Sequence, residues 1–119
     1  MSSGTALVAI VLAASLPIRA HDLYSHLLDE VGASCCDDQD CRPALYRVSA
    51  SGVQMLVDQR WIDVPEDRIQ YRALLGDTGE TAGGHWCGSL YQPDVGSRSI
   101  LHMTKCAILP PQAAWAHVE

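Results

Sequence analysis

Apolar and polar positions along the chain divide it into one apolar leader and a series of short alternating runs. Residues Ala6 to Leu16 are almost continuously apolar, and Pro17 ends the run. From His21 to Val31 the apolar side chains Leu23, Leu27, Leu28 and Val31 recur at helical spacing, which predicts a short helix closed by Gly32. After Pro43 the period changes to two. Leu45–Ala50 and Val53–Asp58 read as a hairpin about a Ser51-Gly52 turn, with Val53, Met55 and Val57 on one face. Arg60–Val64 predicts a third strand stopped by Pro65, and Glu66–Arg72 a turn or weak strand. Leu75–Gly84 holds four glycines and reads as a mobile loop. His85–Tyr91 and Ser99–Leu109 predict two more strands, joined through 92–98 and ended by Pro110-Pro111 before a loose tail.

This pattern predicts a mainly β or small α+β domain. It would be a short antiparallel sheet or partly open barrel, with one N-terminal helix laid on it. The runner-up is a loop-heavy, strand-rich scaffold.

The leader changes the picture of where that domain works. Its apolar run falls short of the roughly 20 residues that cross a bilayer as a helix. Ile18-Arg19-Ala20 places a small residue before a cut. Residues 1–20 therefore read as a cleavable signal peptide, although no Lys or Arg precedes the apolar run. Residues 21–119 form the mature domain, periplasmic or secreted and without a transmembrane anchor. The chain has 8 Lys and Arg against 14 Asp and Glu, net −6, and loss of Arg19 with the leader takes it to −7. Such a surface repels phosphate backbones, so nucleic acid is an unsuitable partner.

Export makes the five cysteines, Cys35, Cys36, Cys41, Cys87 and Cys106, candidates for disulfides, and their odd number leaves one thiol over. The favoured pairing joins Cys87 to Cys106 across the last hairpin, with Cys35 or Cys36 closing a small loop to Cys41. That register sets His85 opposite Ile108 and His102 opposite Tyr91. The two histidines then stand roughly 20 Å apart along the ladder and cannot share an ion. A tighter turn would face His85 with His102 and separate the cysteines.

Four segments, His21-Asp-Leu-Tyr24, Cys35-Cys36-Asp-Asp-Gln-Asp-Cys41-Arg-Pro43, His85-Trp-Cys87 and Cys106-Ala-Ile-Leu-Pro110, resemble a family of small exported alphaproteobacterial proteins of uncharacterised function. Leu23 stands where that family carries an aromatic. The resemblance implies export and a disulfide scaffold, and supplies no activity.

The chemistry-bearing residues support three functional readings. The favoured one is a non-enzymatic secreted or periplasmic domain, without a cofactor, that binds a protein or another envelope component or serves a structural role there. No G-x-S-x-G, phosphate loop or convergent catalytic set is present in the sequence. A buried triad of titrating groups would refute this reading. The second is a copper or zinc binder. His21, as a new N-terminus, would act with His26, and His85, Cys87 and His102 offer another set, at spacings that match no standard zinc pattern. The third is a thiol-redox protein using the spare cysteine, although no C-x-x-C is present. Asp37, Asp38 and Asp40 are hard oxygen donors in one loop but lack the order of a calcium-binding hand.

Overall fold

The computed structural model describes residues 23–36, 40–92 and 100–116. The leader, His21, Asp37 and Asp38 lie outside these. Seven strands make two open sheets: β1 (Asp40–Pro43), β2 (Tyr46–Ser49), β3 (Gly52–Val57), β4 (Arg60–Val64), β5 (Ile69–Tyr71), β6 (His85–Tyr91) and β7 (Leu101–Leu109). The first sheet runs β1-β6-β7-β5, and the second β2-β3-β4. The domain is thus mainly β, unclosed and stapled by two disulfides.

The second sheet forms where period-two patterning is strongest. Val53, Met55 and Val57 are buried, while the residues between them are only partly covered. Tyr46 pairs with Met55, and Ser49 with Gly52, so the turn falls at Ala50-Ser51, one residue earlier than the sequence suggests. β3 and β4 join through Asp58-Gln59 between the paired Val57 and Arg60. Both turn residues have positive φ, 52° and 66°, the backbone of a two-residue turn whose twist matches the flanking strands.

Alternation along β6 and β7 divides the interior into two cores. Trp86, Ala107 and Leu109 face the second sheet and pack with Val53, Met55, Val57 and Val64. Cys87, Cys106 and Ile108 point the other way and meet Tyr24, Leu27 and Cys35. The four-stranded sheet is therefore the middle of three layers. Trp86 is fully buried, and its indole N–H donates to Thr104 Oγ1 at 2.8 Å. Gly88 leaves room for it, because a Cβ there would lie 2.5 Å from the Trp86 ring and 2.3 Å from the Met103 carbonyl oxygen.

The N-terminal layer departs from expectation. Helical backbone is present at Leu23–Tyr24 but gives way to a turn at Ser25, and the segment folds back through a Leu28–Ser34 bridge. Asp29 fixes the fold-back that follows. Its carboxylate accepts the Val31 and Ala33 N–H groups at 3.0 and 2.8 Å, satisfying amides that a continuing helix would bond to carbonyls. Those bonds hold the Asp29 carboxyl below the usual range, the Ala33 bond most, with Lys105 adding to the effect. β1, outside every strand the alternation predicts, pairs with β6, and β5 joins β7 in parallel rather than antiparallel fashion. The glycine-rich stretch is folded into consecutive turns, with Thr81 Oγ1 donating to the Gly84 carbonyl at 2.6 Å. After Pro110 a 3-10 turn, Pro111–Trp115, buries Ala113.

The disulfides are Cys35–Cys106 and Cys41–Cys87, with Cys36 free. This corrects both expected pairings, Cys87–Cys106 and Cys35 or Cys36 to Cys41. Cys87 does stand opposite Cys106 in the ladder, and also opposite Cys41 on its other side. A strand residue exchanges its backbone hydrogen bonds with one neighbour only. Side chains approach more closely on the side where it does not. Pro43, which has no N–H, pairs with His85 two positions from the Cys41–Cys87 pair. Both pairs are therefore of the non-hydrogen-bonded kind, and the Cys41 and Cys87 Cα atoms are 4.0 Å apart. Cys106, on the hydrogen-bonded side of Cys87, bonds instead to Cys35 in the layer above.

Candidate functional site

Two places gather chemistry: a buried polar chain in the N-terminal core, and the free end of the β6–β7 hairpin. The first begins with His85 at the start of β6. Its Nδ1 lies 2.9 Å from Tyr24 Oη, and its Nε2 lies 2.9 Å from Asp77 Oδ1. Tyr24 is 0% exposed and His85 1%, whereas the Asp77 side chain is 19% exposed. A neutral imidazole satisfies all three groups, with the phenol donating to Nδ1 and Nε2–H donating to the carboxylate. Burial pulls the His85 pKa below its ordinary value, and the nearby Asp77 and Glu80 charges only partly oppose this. Burial also raises the Tyr24 phenol far above its usual range, with Cys36, Asp77, Glu80 and Asp40 acting in the same direction. The chain thus keeps its proton on the phenol, and both imidazole nitrogens are occupied.

The second place is the part of β6–β7 beyond its neighbours. β1 reaches only to the Asp40–Gly88 pair, and β5 covers only Ala107–Leu109. Past a bulge at Cys87/Gly88, the pairs are Ser89–Met103, Leu90–His102 and Tyr91–Leu101. The bulge shifts the register by one, so His102 faces Leu90 rather than Tyr91 as expected, while His85 does face Ile108. Alternation puts Leu90 and His102 on one face of this ribbon and Tyr91, Leu101 and Met103 on the other. His102 Nε2 lies 3.1 Å from Asp58 Oδ2, and Arg42 Nη1 donates to Asp58 Oδ1 at 2.7 Å. Hydrogen bonds from Arg42 and then His102 hold the Asp58 carboxyl below the usual range. Arg42 also pairs with Asp40 and lies 5.5 Å above the Trp86 ring. This network ties the ribbon to the β3–β4 turn. It flanks two depressions, of about 290 Å3 beside Trp86 and about 230 Å3 beside His102, that share Leu90.

The residues singled out for metal chemistry are dispersed. His21 lies outside the described residues. His26 is exposed, in a separate depression with Leu23 and Arg72. His85 has both nitrogens engaged, Cys87 is bonded to Cys41, and His102 is held by Asp58. No group of three or more His, Cys, Asp or Glu suited to an ion forms among the described residues. Of the calcium candidates, Asp40 alone is described, paired with Arg42. Burial pushes the free Cys36 thiol up and Asp40 adds to this, against an opposing hydrogen bond from the Cys41 backbone.

Sequence reasoning missed both Tyr24 and Asp77 as partners of His85. Tyr24 occurs in the quoted His-Asp-Leu-Tyr motif, but nothing local ties it to a strand beginning at residue 85. The apolar ribbon was partly legible, since Leu90, Tyr91, Ile100, Leu101 and Met103 flank a polar connection. Compared with family models, curated proteins and solved structures, the chain matches none.

Proposed function

We propose that the chain is a non-enzymatic envelope protein, exported to the periplasm or beyond, that binds a protein partner through the free end of β6–β7. The observation that carries this reading is the ribbon's exposure. Leu90, Tyr91, Leu101 and Met103 are 56, 51, 49 and 53% exposed on an element anchored at its base by two disulfides. Exposed apolar side chains gathered on both faces of one element in this way mark an interaction site. Two disulfides in a small domain support export, because oxidised pairs persist outside the cytosol. No helix among the described residues is long and apolar enough to cross a membrane.

The Tyr24–His85–Asp77 chain comes nearest to the triad that would refute this reading, but Asp77 is 19% exposed and both imidazole nitrogens are bonded, so its geometry argues for a lock instead. A general base needs a free lone pair within reach of a substrate. Here the imidazole lone pair accepts the phenol and the phenol is sealed. The three groups join the N-terminal segment, the glycine-rich loop and β6, which is the work of a structural polar network.

The test is in-cell photo-crosslinking in the full chain expressed with its own leader. A photoreactive residue at Leu90 or Leu101 is expected to give an adduct of discrete mass in the exported fraction. The same residue at exposed Val31 is expected to give none. No adduct from either ribbon position overturns the binding role. Intact mass showing Met1 retained and five free thiols overturns export.

A further inference from the structure

Resting on that binding role, we infer that the partner seated on the β6–β7 ribbon is a second copy of this chain. Three observations lead there. The first is area. Leu90, Tyr91, Ile100, Leu101 and Met103 are each about half exposed. Each leaves on the order of 100 Å2 uncovered, so one copy offers about 500 Å2 and two copies about 1,000 Å2. That total lies at the small end of interface sizes, the range of weak, transient dimers.

The second is charge. The chain carries a net charge of −6, so two copies repel over most approaches. Around Leu90 the balance differs. The two depressions that share it are lined by Asp40 and Asp58, and equally by Arg42 and Arg60. A two-fold axis brings one patch against itself. A patch with equal acids and bases can meet its own copy with opposite signs aligned. A strongly basic or strongly acidic partner finds no net charge to pair with here.

The third is the ribbon's two-sidedness. Leu90 lies on one face with Ile100 and His102 around one depression, while Tyr91, Leu101 and Met103 lie on the other. Covering it requires surface on each side, and two copies that cross their ribbons supply this reciprocally. The connection between the strands contains Asp94 and Arg98, charges that oppose insertion of the hairpin into lipid.

Sedimentation velocity of the mature, oxidised chain from about 1 to 500 μM tests this directly. The expected result is a monomer–dimer equilibrium with little dependence on salt. Leu90→Ser and Met103→Ser, one on each face, should each weaken the dimer at least tenfold. Arg60→Glu should weaken it at low salt and recover as salt rises, because the patch then carries a net negative charge in both copies. Val31→Ser, the loss of a still more exposed apolar side chain away from the ribbon, should leave the dimer unchanged. A circular dichroism spectrum and a cooperative thermal transition like those of the native chain confirm that each variant is folded. A monomer at every concentration, or a dimer indifferent to Leu90→Ser and Arg60→Glu, overturns the inference. If the purified chain is monomeric while Leu90 still crosslinks in cells to a protein of another mass, the second copy is wrong and the binding role stands.

Discussion

Tyr24 and His85, 61 positions apart in sequence, share a 2.9 Å hydrogen bond at the centre of the N-terminal core. Their rings also meet edge to face at 5.5 Å between centroids. The bond helps fix a segment that is also held by the Cys35–Cys106 bridge, by Gln70 donating to the Leu28 carbonyl and by the Arg68–Glu30 and Lys105–Asp29 ion pairs. Tyr24→Phe keeps the ring and removes the donor, leaving His85 Nδ1 buried and unpaired. A loss of about 1–3 kcal/mol is expected in urea unfolding, at unchanged denaturant sensitivity. Unaltered stability would mean that the phenol and imidazole do not bond in solution.

The same histidine predicts an acid sensitivity. Its folded pKa is depressed, chiefly by burial. In the unfolded chain the imidazole takes up a proton as the pH falls through its ordinary value near 6.5, and in the folded chain it resists doing so. The unfolded state then binds more protons, so stability rises with pH in that interval. The contribution is complete above about pH 6.5 and is lost as the pH falls towards the depressed value, with a slope of at most about 1.4 kcal/mol per unit. The carboxyls that are displaced downwards, Asp29 and Asp58, act in a more acidic range. Stability measured between pH 5 and 7 in the native chain and in His85→Gln separates the two effects. Parallel curves would show that His85 is not the origin.

The bridges carry a third expectation. Cys35–Cys106 spans 71 positions and Cys41–Cys87 spans 46. Loop-closure entropy assigns about 4 kcal/mol to each. Non-reducing peptide mapping should recover these two pairs and a free Cys36. Cys36→Ser should leave both bridges and stability within about 0.5 kcal/mol of the native chain. Cys35→Ala with Cys106→Ala should lower stability by several kcal/mol. A Cys87–Cys106 peptide in the map would contradict the hydrogen-bonding pattern argued from Pro43.

Where local chemistry decides the outcome, the sequence is a good guide. Alternation at Val53, Met55 and Val57 is enough to define the face of β3, because only that face is buried. Cys87 does stand opposite Cys106, but only because a bulge at Cys87/Gly88, which the spacing does not report, restores that pair. The actual bridges do not follow, because they depend on β1, whose Asp-Cys-Arg-Pro has no alternation and ends in a proline. β1 exists because Cys41 and Pro43 fit an edge facing β6, a relationship of tertiary origin. The expected helix gives way at Ser25, and beyond it Asp29 holds the fold-back by bonding its own neighbours' amides, which apolar spacing does not report. The His85 network is the least legible feature. It joins residues 24, 77 and 85 from three segments, and each alone is an ordinary surface or loop residue in sequence terms.

A last expectation concerns the turn that frames the ribbon's larger contact with the body. Asp58 and Gln59 both adopt left-handed backbone, with φ of 52° and 66°. Asp58 is committed to Arg42 and His102, so its side chain has a reason to be there. Gln59 is exposed and has no such bond among those described. A Cβ in this conformation costs roughly 1 kcal/mol, which glycine avoids, and Asp-Gly is the favoured pair for a turn of this twist. Gln59→Gly is therefore expected to raise stability by about 0.5–1 kcal/mol, less the extra chain entropy that glycine brings to the unfolded state. Asp58→Gly at the neighbouring position relieves the same strain but removes the carboxylate from Arg42 and His102, and should be neutral or destabilising. Thermal unfolding of the two variants side by side checks this. If both gain equally, the Asp58 network contributes nothing to holding the β3–β4 turn against the hairpin.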